Sequence, residues 1–136
     1  MRHLSIVGAG SVGTAIAFAA LNKGLADHFS LYDLDHDKVR AEVLDLRHGL
    51  EFVGPATIEG AADVAVCSDA DVIVITAGAK QRPGESRLEL TTRNSAIFAD
   101  MIPKLVEVAP EAVLLVVTNP VDVLTALTIR YSGHED

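Results

Sequence analysis

Short apolar runs with β-branched character recur along this chain, separated by stretches with helical spacing. Residues 4–7 (Leu-Ser-Ile-Val) form a brief apolar run that ends at Gly8, which predicts a strand entering a glycine turn. Residues 11–23 predict a helix that is apolar nearly all round and stops at Gly24. Residues 29–33 predict a second strand. The next helix is capped by Asp35 or Asp37, and its Val39, Val43, Leu46 and Leu50 fall at i, i+4, i+7 and i+11. Residues 56–59 form a weak third strand. Residues 72–76 and 113–118 are uninterrupted apolar runs, the signature of central parallel strands covered on both faces. Between them lie a polar loop over 78–84 and a helix running to about residue 108, which Pro103 is expected to kink or divide. A last helix begins at Val121 and stops at Ser132-Gly133.

The alternation of strand and helix predicts an α/β fold, a doubly wound parallel sheet. No internal repeat, low-complexity tract or linker interrupts it, so residues 1–136 are expected to form one domain. Apolar residues at 49% and charged residues at 22% fit a globular protein rather than a disordered one. The net charge of -8 argues against nucleic acid and anionic membrane as partners. The longest apolar runs, six or seven residues, fall far short of the ~20 that a membrane-spanning helix needs. A single cysteine, Cys67, excludes an intrachain disulfide and a Cys-rich metal site, so no metal is expected and a reducing cytoplasm is the expected location.

Gly8-Ala9-Gly10-Ser11-Val12-Gly13 follows the first strand and opens the first helix, the context in which a G-x-G-x-x-G pattern carries meaning. Gly8 takes the tight turn, Gly10 admits a pyrophosphate close to the backbone, and Gly13 lets helix and strand pack closely. The helix N-terminus adds free N–H groups and a positive dipole for the phosphates. Asp33 lies twenty residues after Gly13, where a carboxylate accepts hydrogen bonds from an adenosine ribose and repels a 2′-phosphate. The expected cofactor is therefore NAD rather than NADP. Lys80, Arg82 and Arg87 lie within eight residues of one another with Glu85 as the only opposing charge. This cationic loop, hinged at Gly84, suits an anionic substrate such as a carboxylate, and Arg87 offers the bidentate fork for it.

Three further segments sharpen the picture: Tyr32-Asp33, the loop Ala77-Gly78-Ala79-Lys80-Gln81-Arg82-Pro83-Gly84-Glu85-Ser86-Arg87-Leu88, and Val117-Thr118-Asn119-Pro120-Val121-Asp122. With the glycine turn, in this order and spacing, they resemble the N-terminal half of the L-lactate dehydrogenases within the lactate/malate dehydrogenase family. The resemblance implies a Rossmann-type NAD-binding domain ending before a catalytic domain that the chain does not contain. It implies cofactor contacts at Gly8, Gly10, Val12, Gly13, Asp33, Lys38, Gly78, Ala79, Val117 and Asn119. It also makes Arg87 the catalytic arginine that closes over the substrate and polarises its carbonyl, with Gln81, Asn119 and Asp122 on the substrate side. Gln81 falls where lactate dehydrogenases carry glutamine and malate dehydrogenases carry arginine, and a neutral group there needs no second substrate carboxylate. A cis bond at Asn119-Pro120 is implied as well. The implied parent is a homo-oligomer, dimer or tetramer, acting on a small anionic 2-hydroxy or 2-keto acid in glycolysis.

A hydride transfer to or from an alcohol carbon also needs a proton donor and acceptor, for which a carboxylate-oriented histidine is suited. None of His3, His28, His36, His48 and His134 matches the family's catalytic histidine. The chain alone is therefore expected to be inactive. Asp100 departs from the family, where a small residue such as serine approaches the cofactor. Two alternatives stay open: a malate or other 2-hydroxyacid dehydrogenase, and a stand-alone NAD-binding module without catalysis.

Overall fold

The computed structural model describes residues 1–134. Five strands alternate with helices: β1 (His3–Val7), α1 (Ser11–Asn22), β2 (His28–Tyr32), α2 (His36–His48), β3 (Thr57–Ala61), β4 (Val72–Ile75), α3 (Arg87–Val108), β5 (Val113–Val116) and α4 (Val121–Ser132). All neighbouring pairs are parallel, in the order β3-β2-β1-β4-β5. The order runs outward from β1 in one direction through β3 and then resumes on the other side of β1 with β4. That reversal opens a crevice beyond the C-terminal ends of β1 and β4, the usual ligand position in such sheets.

The side-chain alternation of each strand divides the core between the two faces of the sheet. On one face Ile6, Leu31 and Val74 pack with Ala17 of α1 and with Val39 and Val43 of α2. On the other, Val7, Tyr32, Ile73 and Ile75 meet Phe98, Met101, Ile102 and Leu105 of α3 and Leu124 of α4. Helices thus cover both faces, as a doubly wound sheet requires. Asp35 rather than Asp37 caps α2, its Oδ1 accepting from the Lys38 N–H at 3.1 Å. The crossover from β3 to β4 holds a single 3₁₀ turn, Val64–Cys67, capped by Asp63, which the sequence pattern leaves unannounced.

One sequence expectation needs correction. Pro103 does not divide α3, which runs as one 22-residue helix. Its ring faces solvent, while the buried stripe of Phe98, Met101, Ile102 and Leu105 holds the flanking turns against the sheet. Proline removes one backbone donor, and packing on the opposite side keeps the helix from being divided. Among the described residues β5 pairs with β4 alone, and Val113 and Leu115, on the face of the sheet shared with Val74, are exposed at 64% and 52%.

Candidate cofactor-binding site

Residues 8–13 form the floor of the crevice. Gly8 has φ +106°, and a Cβ there would lie 2.7 Å from both the Ala77 nitrogen and Thr76 Oγ1. The Gly8 N–H donates to the Tyr32 carbonyl at 2.7 Å, tying the turn to the end of β2. At Gly13 a Cβ would fall 1.8 Å from the Gly8 carbonyl oxygen. Only a hydrogen fits. Gly10 is different: the nearest atom to its Cβ position is Lys38 Nζ at 4.0 Å, so protein packing leaves this spot open. Gly10 is also the N-cap of α1, with no side-chain cap and no acidic residue in the first turn. The helix therefore presents free N–H groups and the positive end of its dipole to the crevice.

Asp33 follows β2 and is held from two sides. Its Oδ2 accepts from the Ala9 N–H at 2.8 Å, and its Oδ1 accepts from the Asp35 N–H at 2.9 Å. Lys38 Nζ stands 3.9 Å from Oδ2. A carboxylate carries about four acceptor directions, so this one keeps capacity for a ribose diol after the two backbone bonds.

Across the crevice, the segments following β4 and β5 are braced together. Thr118 Oγ1 donates to the Ala77 carbonyl at 2.8 Å, and a Cβ on Gly78 would lie 2.6 Å from Thr118 Cγ2. Asn94 of α3 accepts at Oδ1 from the Ala79 N–H at 2.8 Å and donates from Nδ2 to the Asn119 carbonyl at 3.0 Å. The Asn119-Pro120 bond is cis.

Gly8, Gly10, Val12, Gly13, Asp33, Lys38, Gly78, Ala79 and Asn119 all line this one crevice of about 850 Å³. Lys38, Lys80 and Lys104 face Asp33 and Asp100 along it, so its charged groups sum to a positive value in a chain of net charge -8. Asp100 holds Lys104 in an ion pair at 2.7 Å, which raises the lysine above its ordinary value. The open floor at Gly10, the uncapped helix N-terminus and the partly satisfied Asp33 fit a pyrophosphate-linked dinucleotide. The volume lies within the ~300–1,000 Å³ typical of ligand sites.

Val117, Asp122, Gln81 and Arg87 lie outside that lining. Arg87 and Gln81 are exposed, and Arg87 opens α3. The loop that carries them is anchored by Glu85. Its Oε2 accepts from the Arg82 N–H at 2.8 Å, its Oε1 pairs with Arg93, and its backbone carbonyl accepts from Gln81 Nε2 at 2.9 Å. The Arg82 N–H and then the Arg93 guanidinium hold the Glu85 carboxyl below the usual carboxylate range. A reciprocal capping box between Ser86 and Glu89 fixes the start of α3. Gly84, at φ +78° with nothing near its Cβ position, is the bend. No histidine lines the crevice among the described residues. His3 and His28 stand side by side at the N-terminal ends of β1 and β2, away from the crevice, and His134 Nε2 lies 2.9 Å from the Pro110 carbonyl.

Sequence reasoning missed Asn94, Thr76 and Thr118. Asn94 left a readable signal, since it is the one polar residue among the buried positions of α3.

A parallel sheet whose order reverses at β1 and β4, with a glycine turn and an acidic residue at that point, defines a dinucleotide-binding domain. The chain belongs to the lactate/malate dehydrogenase family: the family's NAD binding domain matches residues 2–136. It is 48% identical over 130 residues to an L-lactate dehydrogenase of Bifidobacterium animalis subsp. lactis, covering 96% of this chain and 41% of that protein. It is 49% identical over 129 residues to one from a Synechococcus strain, covering 95% of this chain and 42% of that one. Among solved structures, the minor L-lactate dehydrogenase of Enterococcus mundtii superposes with a TM-score of 0.93 at 35% identity, covering 98% of this chain and 43% of that one. A lactate dehydrogenase from a Medee basin deep-sea metagenome gives 0.91 at 37% identity, with coverage of 99% and 44%. The chain thus spans about two-fifths of the length of these relatives. NAD is the cofactor of this domain family.

Proposed function

We propose that this chain is the cofactor-binding part of an L-lactate dehydrogenase that interconverts lactate and pyruvate. The observation that carries the cofactor half is the pairing of an open Gly10 floor with an Asp33 carboxylate beside it. The free N–H groups of α1 take the pyrophosphate, and Asp33 takes the adenosine ribose while repelling a 2′-phosphate. Lys38, Val12, Gly78, Ala79, Val117 and Asn119 complete the cofactor contacts. The nicotinamide ring supplies the hydride acceptor or donor when bound.

On the substrate side Arg87 polarises the carbonyl, Asn119 and Asp122 orient the substrate, and Gln81 selects a methyl-bearing substrate over a dicarboxylate. An arginine fork aimed at developing oxyanion charge is effective once water is excluded, which loop closure about Gly84 accomplishes. The proton that leaves or joins the substrate oxygen is handled outside residues 1–134, in a second, catalytic domain of the longer protein. The 136-residue chain alone therefore does not turn over pyruvate. The protein acts in the cytoplasm as a homo-oligomer and uses neither nucleic acid nor membrane as a partner.

Comparing pyruvate and oxaloacetate turnover by the longer protein tests the substrate assignment. Preference for pyruvate, moved toward oxaloacetate by Gln81→Arg, is the expected result. Oxaloacetate preferred by the unaltered protein would instead establish a malate dehydrogenase.

A further inference from the structure

Asn94 occupies a position that its neighbours reserve for apolar groups. It lies on the buried stripe of α3 with Phe98, Met101, Ile102 and Leu105, and its exposure is 1%. A side-chain amide there is costly unless both of its ends are satisfied. Both are, and by backbone groups of two different segments: the Ala79 N–H after β4 and the Asn119 carbonyl after β5. These strands are neighbours in register, with Ile75 opposite Val116. The Thr118 hydroxyl adds a second tie, from its own segment to the Ala77 carbonyl. Gly78 sits between the two ties with no room for a Cβ. The wall of the crevice opposite Asp33 is therefore two loops clamped by one buried amide, which stands seven residues beyond Arg87 on the same helix.

We infer that Asn94 is a positioning residue: it fixes the separation of the Ala79 and Asn119 backbones, so that the half of the cofactor remote from adenosine meets a wall already formed. The inference rests on the reading of this crevice as the NAD site. Without the amide, the Ala79 N–H and Asn119 carbonyl seek water or other partners, and the two loops must be ordered again on binding. That ordering cost weakens whatever the wall contacts. The adenosine half, held by Asp33 and the glycine turn, makes no use of the clamp. A residue that only filled the core would lower stability and leave the two halves of the cofactor equally affected.

The experiment measures dissociation constants of NADH and of ADP for the 136-residue chain and for Asn94→Asp and Asn94→Ala, by NMR titration, with thermal unfolding recorded alongside. Asn94→Asp keeps the shape and the acceptor for Ala79 but sets an oxygen against the Asn119 carbonyl. Expected is a loss of about tenfold or more in NADH affinity, with ADP affinity changed less than about twofold. Should Asn94→Ala fail to fold, Thr118→Val cuts the neighbouring tie and is expected to give the same selective loss. Equal losses for NADH and ADP, or unchanged NADH affinity in Asn94→Asp, would overturn the inference. Binding of neither ligand by the unaltered chain would instead overturn the reading of the crevice, and the inference with it.

Discussion

Replacing Gly13 with alanine places a methyl carbon 1.8 Å from the Gly8 carbonyl oxygen, 2.9 Å from Thr76 Oγ1 and 3.1 Å from the Gly8 carbonyl carbon. Either the first turn of α1 or the Gly8 peptide must retreat by more than an ångström. Gly8 is not free to do so: its N–H is bonded to Tyr32, its carbonyl accepts from Thr76 Oγ1 at 3.1 Å, and its φ is +106°. Forcing a methyl into a filled space costs about 1–3 kcal/mol, and each hydrogen bond given up costs about 1 kcal/mol more. The gain in helix propensity over glycine returns about 1 kcal/mol. A net loss of about 3 kcal/mol corresponds to a fall in Tm of about 10 °C for a domain of this size. Gly10→Ala is the matched control, because its Cβ meets only Lys38 Nζ at 4.0 Å. It is expected to keep Tm within about 3 °C of the unaltered chain while abolishing NADH binding, since the methyl occupies the place of the phosphates. Thermal unfolding by circular dichroism and NADH titration of both variants are the assays. Gly13→Ala with an unchanged Tm would show that turn and helix are not closed this tightly. Gly10→Ala with undiminished NADH affinity would show that no phosphate approaches that glycine.

Burial pushes the Cys67 thiol up to about 11, so it should resist a disulfide reagent at pH 8 in the native chain and react at once in denaturant. Rapid native reaction would contradict the packing around it. Burial, then the neighbouring His28 ring, lowers His3 below its ordinary value of 6.5, against weaker opposing pulls from Asp71 and Glu59. The unfolded chain then binds the proton more readily, so this contribution to stability is complete above pH 6.5 and declines as pH falls through the lower folded value. Tm measured from pH 7.5 to 5 should fall, and His3→Gln should flatten that limb; an unchanged slope in the variant would refute the assignment. Glu85→Gln removes the anchor of the 80–87 loop and should speed tryptic cleavage after Lys80, with native-like rates as the contrary result.

The glycine turn, Asp33 and the order of elements were legible in the sequence because each leaves a local pattern: glycines at fixed spacing after a strand, an acidic residue at the end of the next, and alternating apolar periods. Gly13 must be glycine against Gly8, and a run such as Val-Ile-Val-Ile over 72–75 has few alternatives to a covered strand. What escaped notice depends on tertiary partners. Pro103 reads as a helix breaker until the packing of Phe98 and Leu105 on the other side is known. The role of Glu85 as an anchor rather than a lone counter-charge needs Arg93, eight residues away on α3. Asn94 was the recoverable omission, a polar residue on an apolar stripe, although its two partners lie fifteen and twenty-five residues distant.

The central claim is that the crevice between the glycine turn and Asp33 takes NAD and rejects a 2′-phosphate. Amide chemical shifts of the 136-residue chain, followed as NADH and then NADPH are added, test it directly and tolerate weak binding. Saturable shifts at Gly8, Ala9, Gly10, Gly13 and Asp33 are expected with NADH. Affinity for NADPH should be at least about tenfold lower, because a phosphate beside the Asp33 carboxylate is only partly compensated by Lys38. Asp33→Ser should narrow that gap. Equal affinity for the two cofactors, or shifts confined to other parts of the chain, would contradict it.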